Sequence, residues 1–259
     1  MAISINSNPV ASSAALHLQR NNSMLVKSLS RLSSGSKLID SSEDPGGLAV
    51  SMKLAAAINR QNAAITNVQN AVSFVQLQDG DLKAAASIVD RMAALRSMYD
   101  DVTKSTIDKD NYDTEFQSLR VQLYQAGQSQ FNGVSLFSAL TWGHGTVADA
   151  DVIEVLTSER GSTGSRVSLA KTTLLSAVTV KGQSVTSYTV AKHENTNSLA
   201  ATAKGAGGTT TLGDFSVDSF ILALQNVATL RAENGAISSR LQFAGEQLEA
   251  AKVNMEAAR

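Results

Sequence analysis

The sequence predicts a mainly α fold, an elongated rod of long coiled-coil-like helices that carries a small β-rich insertion. Apolar residues recur at alternating steps of three and four residues near both ends of the chain. Both prolines, Pro9 and Pro45, lie near the N-terminus, so the strongest helix breaker is absent from the rest of the chain. A middle segment rich in Gly, Ser, Thr and Val has no helical period and contains short runs typical of strands.

The first helix is predicted from about Val10 to Ser33, with Gly35 as its C-cap. Its apolar positions form one seam: Ala11, Ala15, Leu18, Asn22, Leu25, Leu29 and Leu32. An apolar seam needs a partner, so we interpret Leu18, Leu25, Leu29 and Leu32 as an assembly seam. Because an isolated helix of about 20 residues is marginal in water, we expect this region to fray in a free monomer.

A polar loop from Lys37 to Asp44 follows, and we expect it to act as a hinge. Asp44 is the predicted N-cap and Pro45 the first residue of a second helix that ends near Thr103. The seam changes register near Gly80, which predicts a local irregularity in winding. Its members are Ile58, Ile65, Val68, Val72 and Val75 before that point, and Ile88, Met92, Leu95, Tyr99 and Val102 after it.

Two further helices are predicted, from about Tyr112 to Ala126 and from Phe220 to Ala258. The last one keeps the three-four alternation without a break, with Asn234 as its polar seam member. Such a residue fixes register more often than it forms a ligand site. At 1.5 Å per residue the longest helices reach roughly 60 to 85 Å, whereas a compact chain of this size has a radius of gyration of roughly 18 Å. The pattern therefore predicts a rod.

The middle segment is predicted to contain three short strands and a glycine-rich loop. They are Val152–Leu156, Val167–Leu169, Val178–Gly182 and the loop Gly205–Thr211. We divide the chain into an N-terminal helix and loop, a first helical arm, an outer β-rich insertion and a second helical arm. The boundaries are 1–42, 43–139, 140–214 and 215–259. We expect the rod to keep its stability when the insertion is deleted.

Composition excludes several classes of function. The formal net charge of -1 gives no basic face for nucleic acid. The chain has no Cys, which excludes disulfides and thiolate metal sites. No apolar run approaches the ~18 residues that a membrane span requires. The first positive charge is Arg20, so we expect secretion, if it occurs, by a route that does not read a cleaved signal peptide.

No set of residues predicts catalysis, a metal site or a cofactor. His17, His144 and His193 are far apart, and His-Glu-x-x-His is absent. Glu154 and Glu159 lie near His144 in sequence, but ordinary loop residues are the better interpretation. Two glycine-rich runs, 143–145 and 205–208, lack the strand-to-helix context of a phosphate loop and are interpreted as turns. We therefore predict a protein that is not an enzyme.

Several motifs resemble those of bacterial flagellins, in the family's order. They are Arg31-Leu-Ser-Ser-Gly35, Asp44-Pro-Gly-Gly-Leu-Ala-Val-Ser51, Asn67-Val-Gln-Asn-Ala-Val72, Gln78-Asp-Gly-Asp-Leu82, Gln130-Phe-Asn-Gly133, Leu230-Arg-Ala-Glu-Asn-Gly-Ala-Ile237 and Arg240-Leu-Gln-Phe-Ala244. The resemblance covers about residues 1–140 and 220–259, and the middle matches nothing.

The resemblance implies a structural subunit that polymerises into the extracellular flagellar filament for motility. The termini would line the filament core, and the variable insertion would face outward. The implied partners are copies of the chain, the flagellar export apparatus and an export chaperone. In the family a further amphipathic helix follows the position of Arg259, pairs with the N-terminal helix and binds that chaperone; the sequence given ends before it.

The resemblance also implies a surface for the vertebrate innate-immune flagellin receptor. The stretch Val89–Leu95 aligns with the recognised segment, so Arg91 and Leu95 match two contacts. Glu115 matches a third with a one-residue gap. Ala93 and Ala94 replace a family arginine and glutamate. The alternative is a solvated helix face with Leu95 in the core.

Two other functions are compatible with long helices. A hook–filament junction protein shares the helical plan, although the motif at 44–51 favours flagellin. A secreted coiled-coil binding module would bury its surface seams against foreign helices.

Overall fold

The computed structural model describes residues 9–138, 152–179, 198–202 and 210–258. It confirms the mainly α fold with long helices and a small β portion. The elements are α1 (Pro9–Ser34), α2 (Pro45–Tyr99), α3 (Thr106–Ala126), β1 (Gln130–Phe131), β2 (Val134–Ser135), β3 (Val152–Leu156), β4 (Arg166–Ala170), α4 (Leu174–Ala177) and α5 (Val217–Ala257). Short 3-10 turns lie at Gly161–Thr163 and Leu212–Asp214.

The chain divides into two compact units. One consists of Met1–Asn59 with Met255–Arg259, and the other of Arg60–Asn254. The predicted boundaries near 42, 139 and 214 stay an interpretation of the sequence pattern. The two units are described in turn.

The first unit contains α1, the loop after it and the start of α2. Helix α1 ends as predicted, because Gly35 adopts a φ of 65° that favours glycine. The carboxylate Oδ1 of Asp44 accepts a hydrogen bond from the Gly47 N–H at 2.8 Å, so Asp44 caps α2 with Pro45 as its first residue. No described residue of α1 is buried.

In the second unit, the seam of α2 continues through Gly80 without a change of register. Its buried members are Gln61, Ala64, Val68, Ala71, Val75, Gln78, Leu82, Ala85, Val89 and Met92, which alternate by three and four residues. The predicted irregularity is wrong because Gln78 is a seam member although it is polar. Its amide donates to Leu136 O at 2.7 Å and to Thr172 Oγ1 at 3.0 Å, which satisfies the buried group.

Helix α5 packs antiparallel to α2 through its predicted seam. Gln61 Nε2 donates to Leu248 O, and Asn234 Nδ2 donates to Val75 O, both at 2.9 Å. The same number of residues, about four helical turns, separates the two contacts along each helix. Near these contacts, Arg231 Nε donates to Asp79 Oδ1 at 2.9 Å and Arg231 Nη2 donates to Asp79 Oδ2 at 3.2 Å. The antiparallel register is thus fixed at two levels, and Asn234 has the register role that its position suggests.

Helix α3 begins at Thr106, earlier than predicted. Ser105 caps it, and the Asp108 side chain accepts from the Ser105 N–H, forming a capping box. The hydrogen bond from the Ser105 side chain lowers the pKa of the Asp108 carboxyl most, and the one from the Ser105 N–H lowers it further. The predicted range Tyr112–Ala126 therefore begins in the second turn of the helix.

The described part of the insertion joins the core of the helices. Strands β3 and β4 correspond to two of the predicted strands. They pair antiparallel, with Val152 opposite Ala170 at one end and Leu156 opposite Arg166 at the other. Of the third predicted strand, only Val178 and Thr179 are described, and Thr179 bridges to Ser198. The buried side chains Leu174, Leu175, Leu199 and Leu212 belong to the same apolar cluster as the helical seams: Val89, Phe116, Leu123 and Phe220 are among its other members.

Arg120 ties this part of the insertion to α3. Its side chain is fully buried, and its Nη2 donates to Ser198 O at 3.0 Å. Nη1 donates to Gln117 Oε1 at 3.2 Å, and Ala201 N–H donates to Arg120 O at 3.1 Å. Burial lowers the pKa of Arg120, partly offset by the charge of Asp113. Deleting the insertion would therefore remove core side chains and leave this guanidinium without its carbonyl partner, contrary to the expectation that the rod is independent of it.

We predict that Leu241→Ala lowers the free energy of unfolding by about 2 to 5 kcal/mol, because it empties a fully buried position of the α5 seam. The matched control is Phe243→Ala, which removes a larger side chain that is 70% exposed and should change stability by less than about 0.5 kcal/mol. Urea denaturation followed by far-ultraviolet circular dichroism measures both. Equal losses for the two variants would contradict the assigned seam.

We predict that Arg120→Met destabilises the protein by about 2 to 3 kcal/mol, since it leaves a buried carbonyl without its charged donor. The Ala201 amide should also exchange faster in the same variant. The control is Arg166→Met, which removes an exposed guanidinium from β4. If Arg120→Met is as stable as this control, the insertion is not anchored through Arg120.

Candidate functional site

The candidate functional site is the apolar seam of α1. The side chains of Leu18, Leu25, Leu29 and Leu32 are 73%, 58%, 56% and 81% exposed. They lie on one face because they follow steps of seven, four and three residues along a helix. The structure therefore brings all four predicted seam residues onto one exposed stripe of the first unit.

The seam of α5 offers an internal comparison. Val227, Leu230, Leu241 and Leu248 follow the same type of spacing, and each is between 0% and 4% exposed. The two seams thus have similar sequence patterns and opposite environments. An exposed stripe of this length is typical of a surface that binds another helix, because leucine gains about 1.5 to 3 kcal/mol on full burial.

A carboxylate that the sequence reasoning did not single out sits at the end of this helix. Glu43 forms ion pairs with Lys27 and with Arg31, the latter at 2.6 Å between Arg31 Nη2 and Glu43 Oε2. The Glu43 side chain is only 14% exposed. The signal in the sequence was two basic residues four apart near the end of a helix, followed by an acidic residue in the next loop.

The structure separates the three residues of the predicted receptor surface. Arg91 Nε donates to Glu115 Oε1 at 2.8 Å, and both side chains are about half exposed. This hydrogen bond, with the charge of Glu115, raises the pKa of Arg91. Leu95 is fully buried in the core of the second unit. Its side chain is not part of an exposed surface, because it belongs to the apolar cluster with Phe116 and Phe220.

The remaining residues that the sequence singled out do not form a site among the described ranges. Asn22 and His17 lie exposed on α1. Glu154 pairs with Arg166 across β3 and β4, and the Glu159 carbonyl accepts from Arg60 Nε at 3.2 Å. His144, His193 and both glycine-rich runs lie outside the described residues. Within the described chain, no group of three His, Asp or Glu side chains could hold a metal ion. None of the helices that the structure describes is apolar over a length that would cross a membrane.

Comparison with known proteins places these features in a family. The model of the bacterial flagellin N-terminal helical region matches residues 5–141. A flagellin of Clostridium tyrobutyricum is 30% identical over 65% of this chain and 45% of its own length. A flagellar filament 30.7 kDa core protein of Treponema maltophilum is 26% identical over 98% of this chain and 84% of its own length. A flagellar filament 33 kDa core protein of Treponema phagedenis is 30% identical over 52% of the chain and 47% of its own length.

A solved structure has the same fold. The crystal structure of Bacillus cereus flagellin superposes with a TM-score of 0.51 and 20% identity, covering 75% of this chain and 95% of the other. The chain spans less than half the length of two of the three relatives named above. The family model, however, matches more than half of the chain. The chain therefore belongs to the bacterial flagellin family.

Proposed function

We propose that this chain is a structural subunit that polymerises into a flagellar filament outside the cell and serves motility. The observation that carries the proposal is the exposed leucine stripe of α1, which contrasts with the buried seams that α2 and α5 have in the second unit. Membership of the flagellin family supports the same function, and the names of relatives describe filament core proteins. The protein would have no chemistry of its own.

The stripe is suited to helix-to-helix packing rather than to a small ligand. Leu18, Leu25, Leu29 and Leu32 extend along most of α1, so a partner must offer an apolar surface of comparable length. A polymer provides such surfaces from copies of the same chain. Each leucine that becomes fully buried would contribute about 1.5 to 3 kcal/mol before the cost of association. A few leucines are then sufficient to make polymerisation depend on α1.

Three other partners belong to the proposal. The export apparatus would pass the chain in an unfolded state, and an export chaperone would shield it before assembly. The innate-immune flagellin receptor would contact the exposed pair Arg91 and Glu115. Leu95 would support this contact from the core, because its side chain is buried.

We predict that Leu25→Lys and Leu29→Lys each raise the critical concentration for polymerisation at least about tenfold, since a lysine at a buried helix contact is left without a partner. The control is Ser23→Lys, which adds the same charge on the opposite face of α1. Seeded polymerisation measured by sedimentation compares the variants. Normal assembly of the leucine variants, or equal loss with Ser23→Lys, would contradict the proposal.

Labelled wild-type protein should coat the whole filament, whereas a junction protein would label only one end.

We predict that Arg91→Ala weakens binding to the purified receptor ectodomain about tenfold, because arginine is a frequent interface hot spot. Glu115→Gln should weaken it too, since it releases Arg91 from its ion pair. Arg166→Ala is the control, because this arginine is also partly exposed, at 38% against 50% for Arg91, and also pairs with a carboxylate. Unchanged affinity of the Arg91 variant in surface plasmon resonance would remove the receptor from the list of partners.

A further inference from the structure

A cleft of about 470 Å³ opens on the second unit, where α2 meets the short strands. Its interior is apolar: the rings of Phe74 and Phe131 pack edge to face with centroids 6.0 Å apart, and Val155 of β3 lies opposite them. Two exposed polar residues, Asn70 of α2 and Glu154 of β3, lie at its edge. A cleft of this size that is apolar inside and polar at its edge is typical of a site that receives one well-defined group.

Phe243 of α5 is an exposed aromatic side chain in the same unit. It is 70% exposed, although aromatic rings are among the side chains that gain most from burial. It follows the buried Leu241 by two residues, which is about 200° around an α-helix. Phe243 therefore lies on the side of α5 that faces away from the α2 seam. It does not line the cleft of its own chain.

Phe243 and the cleft lie at the same level along the packed helices. A Cβ on Gly245 of α5 would lie 3.5 Å from Val68 Cγ1 of α2, so these two residues mark one level of the helix pair. Phe243 is two residues from Gly245, and Asn70 at the edge of the cleft is two residues from Val68, each within one helical turn. Two copies placed side by side with little shift along α5 therefore bring Phe243 of one copy to the cleft of the other.

The polar groups beside Phe243 match those at the edge of the cleft. Arg240 and Glu246 lie three residues before and after Phe243 on the same side of α5, and both are exposed. The Glu154 carboxylate is 49% exposed and can accept a second cation beside its ion pair with β4, which suits Arg240. On the α2 side of the cleft, the Asn70 amide can donate to Glu246. A cation thus precedes the ring where a carboxylate edges the cleft, and a carboxylate follows it where an amide does.

We propose that Phe243 of one chain inserts into the cleft of a second copy. This inference rests on the proposed function and adds to it a second interface, separate from the leucine stripe of α1. The contact joins two different surfaces, so each paired chain still offers one free Phe243 or one free cleft. Such contacts extend into open helical polymers when the rotation between copies does not close, whereas a contact between two identical surfaces ends at a dimer.

The absence of Cys allows the contact to be mapped in the polymer. One preparation carries Gln247→Cys, one turn after Phe243, and another carries Asn70→Cys; both positions are exposed. The two are mixed, polymerised and treated with a short bis-maleimide, and linked dimers are separated by denaturing electrophoresis. We expect cross-links between the two variants in the mixed polymer and none in the polymer of either variant alone, because the contact joins different surfaces.

Two controls separate this contact from general crowding in the polymer. Adding Phe243→Ala to the Gln247→Cys chain should abolish the cross-link in the polymer that still sediments. Moving the cysteine to Gln225, an exposed α5 position roughly 33 Å away at 1.5 Å per residue, should also abolish it. Phe243→Ala alone should raise the critical concentration about tenfold, whereas Ile221→Ala, another exposed apolar residue of α5, should leave it unchanged.

The outcomes distinguish this contact from the filament proposal. A polymer that sediments without the mixed cross-link overturns the contact and leaves the filament proposal standing. Cross-links within the Gln247→Cys polymer alone also overturn it, because Phe243 would then meet its own counterpart across a twofold axis. If no polymer sediments from the unchanged protein, the proposed function fails, and the contact falls with it.

Discussion

The structure depends on one constraint, that an apolar helical seam must be covered. In the second unit α2 and α5 cover each other, and α3 and the insertion complete the burial. Three polar side chains of this seam, Gln61, Gln78 and Asn234, each donate to a backbone carbonyl. In the first unit the same type of seam on α1 has no cover. The contrast between the two units is the physical basis of the proposed function.

The buried amides explain how the covered seam is specific. Apolar heptads alone tolerate shifts of register, because leucine and alanine pack in several arrangements. An amide that meets a carbonyl in only one alignment excludes the neighbouring alignments, since an unsatisfied buried group costs about 1 to 3 kcal/mol. Gln61 and Asn234 impose the same alignment from opposite helices, and the Arg231–Asp79 pair reinforces it.

Much of the fold could be predicted from the spacing of the apolar residues and from the capping residues that begin or end helices. The Asp44–Pro45 start, the Gly35 end and the unbroken seam of α5 follow from caps and spacing. The continuous seam of α2 has no local signal at Gln78, because this polar side chain is buried through hydrogen bonds to Leu136 and Thr172, which are distant in sequence. The start of α3 lies before the predicted one, at a capping box that uses Asp108 in place of the usual Glu or Gln. Arg120 carried no local signal, because its partners Ser198 and Thr210 lie in a region that reads as loop.

For the candidate site, the leucine stripe could be predicted from the sequence, but the ion pairs of Glu43 with Lys27 and Arg31 could not. The stripe is local and periodic, while the Glu43 contacts need the loop to turn back on α1. The most direct test of the account is amide hydrogen exchange of residues 11–32, in a verified monomer and in the assembled polymer. Residues 61–92 of α2 should be well protected in both states, because their seam is covered within the chain. The α1 amides should exchange quickly in the monomer and slowly in the polymer. If they are as protected in the monomer as those of α2, or gain no protection on assembly, α1 is not the helix that polymerisation covers.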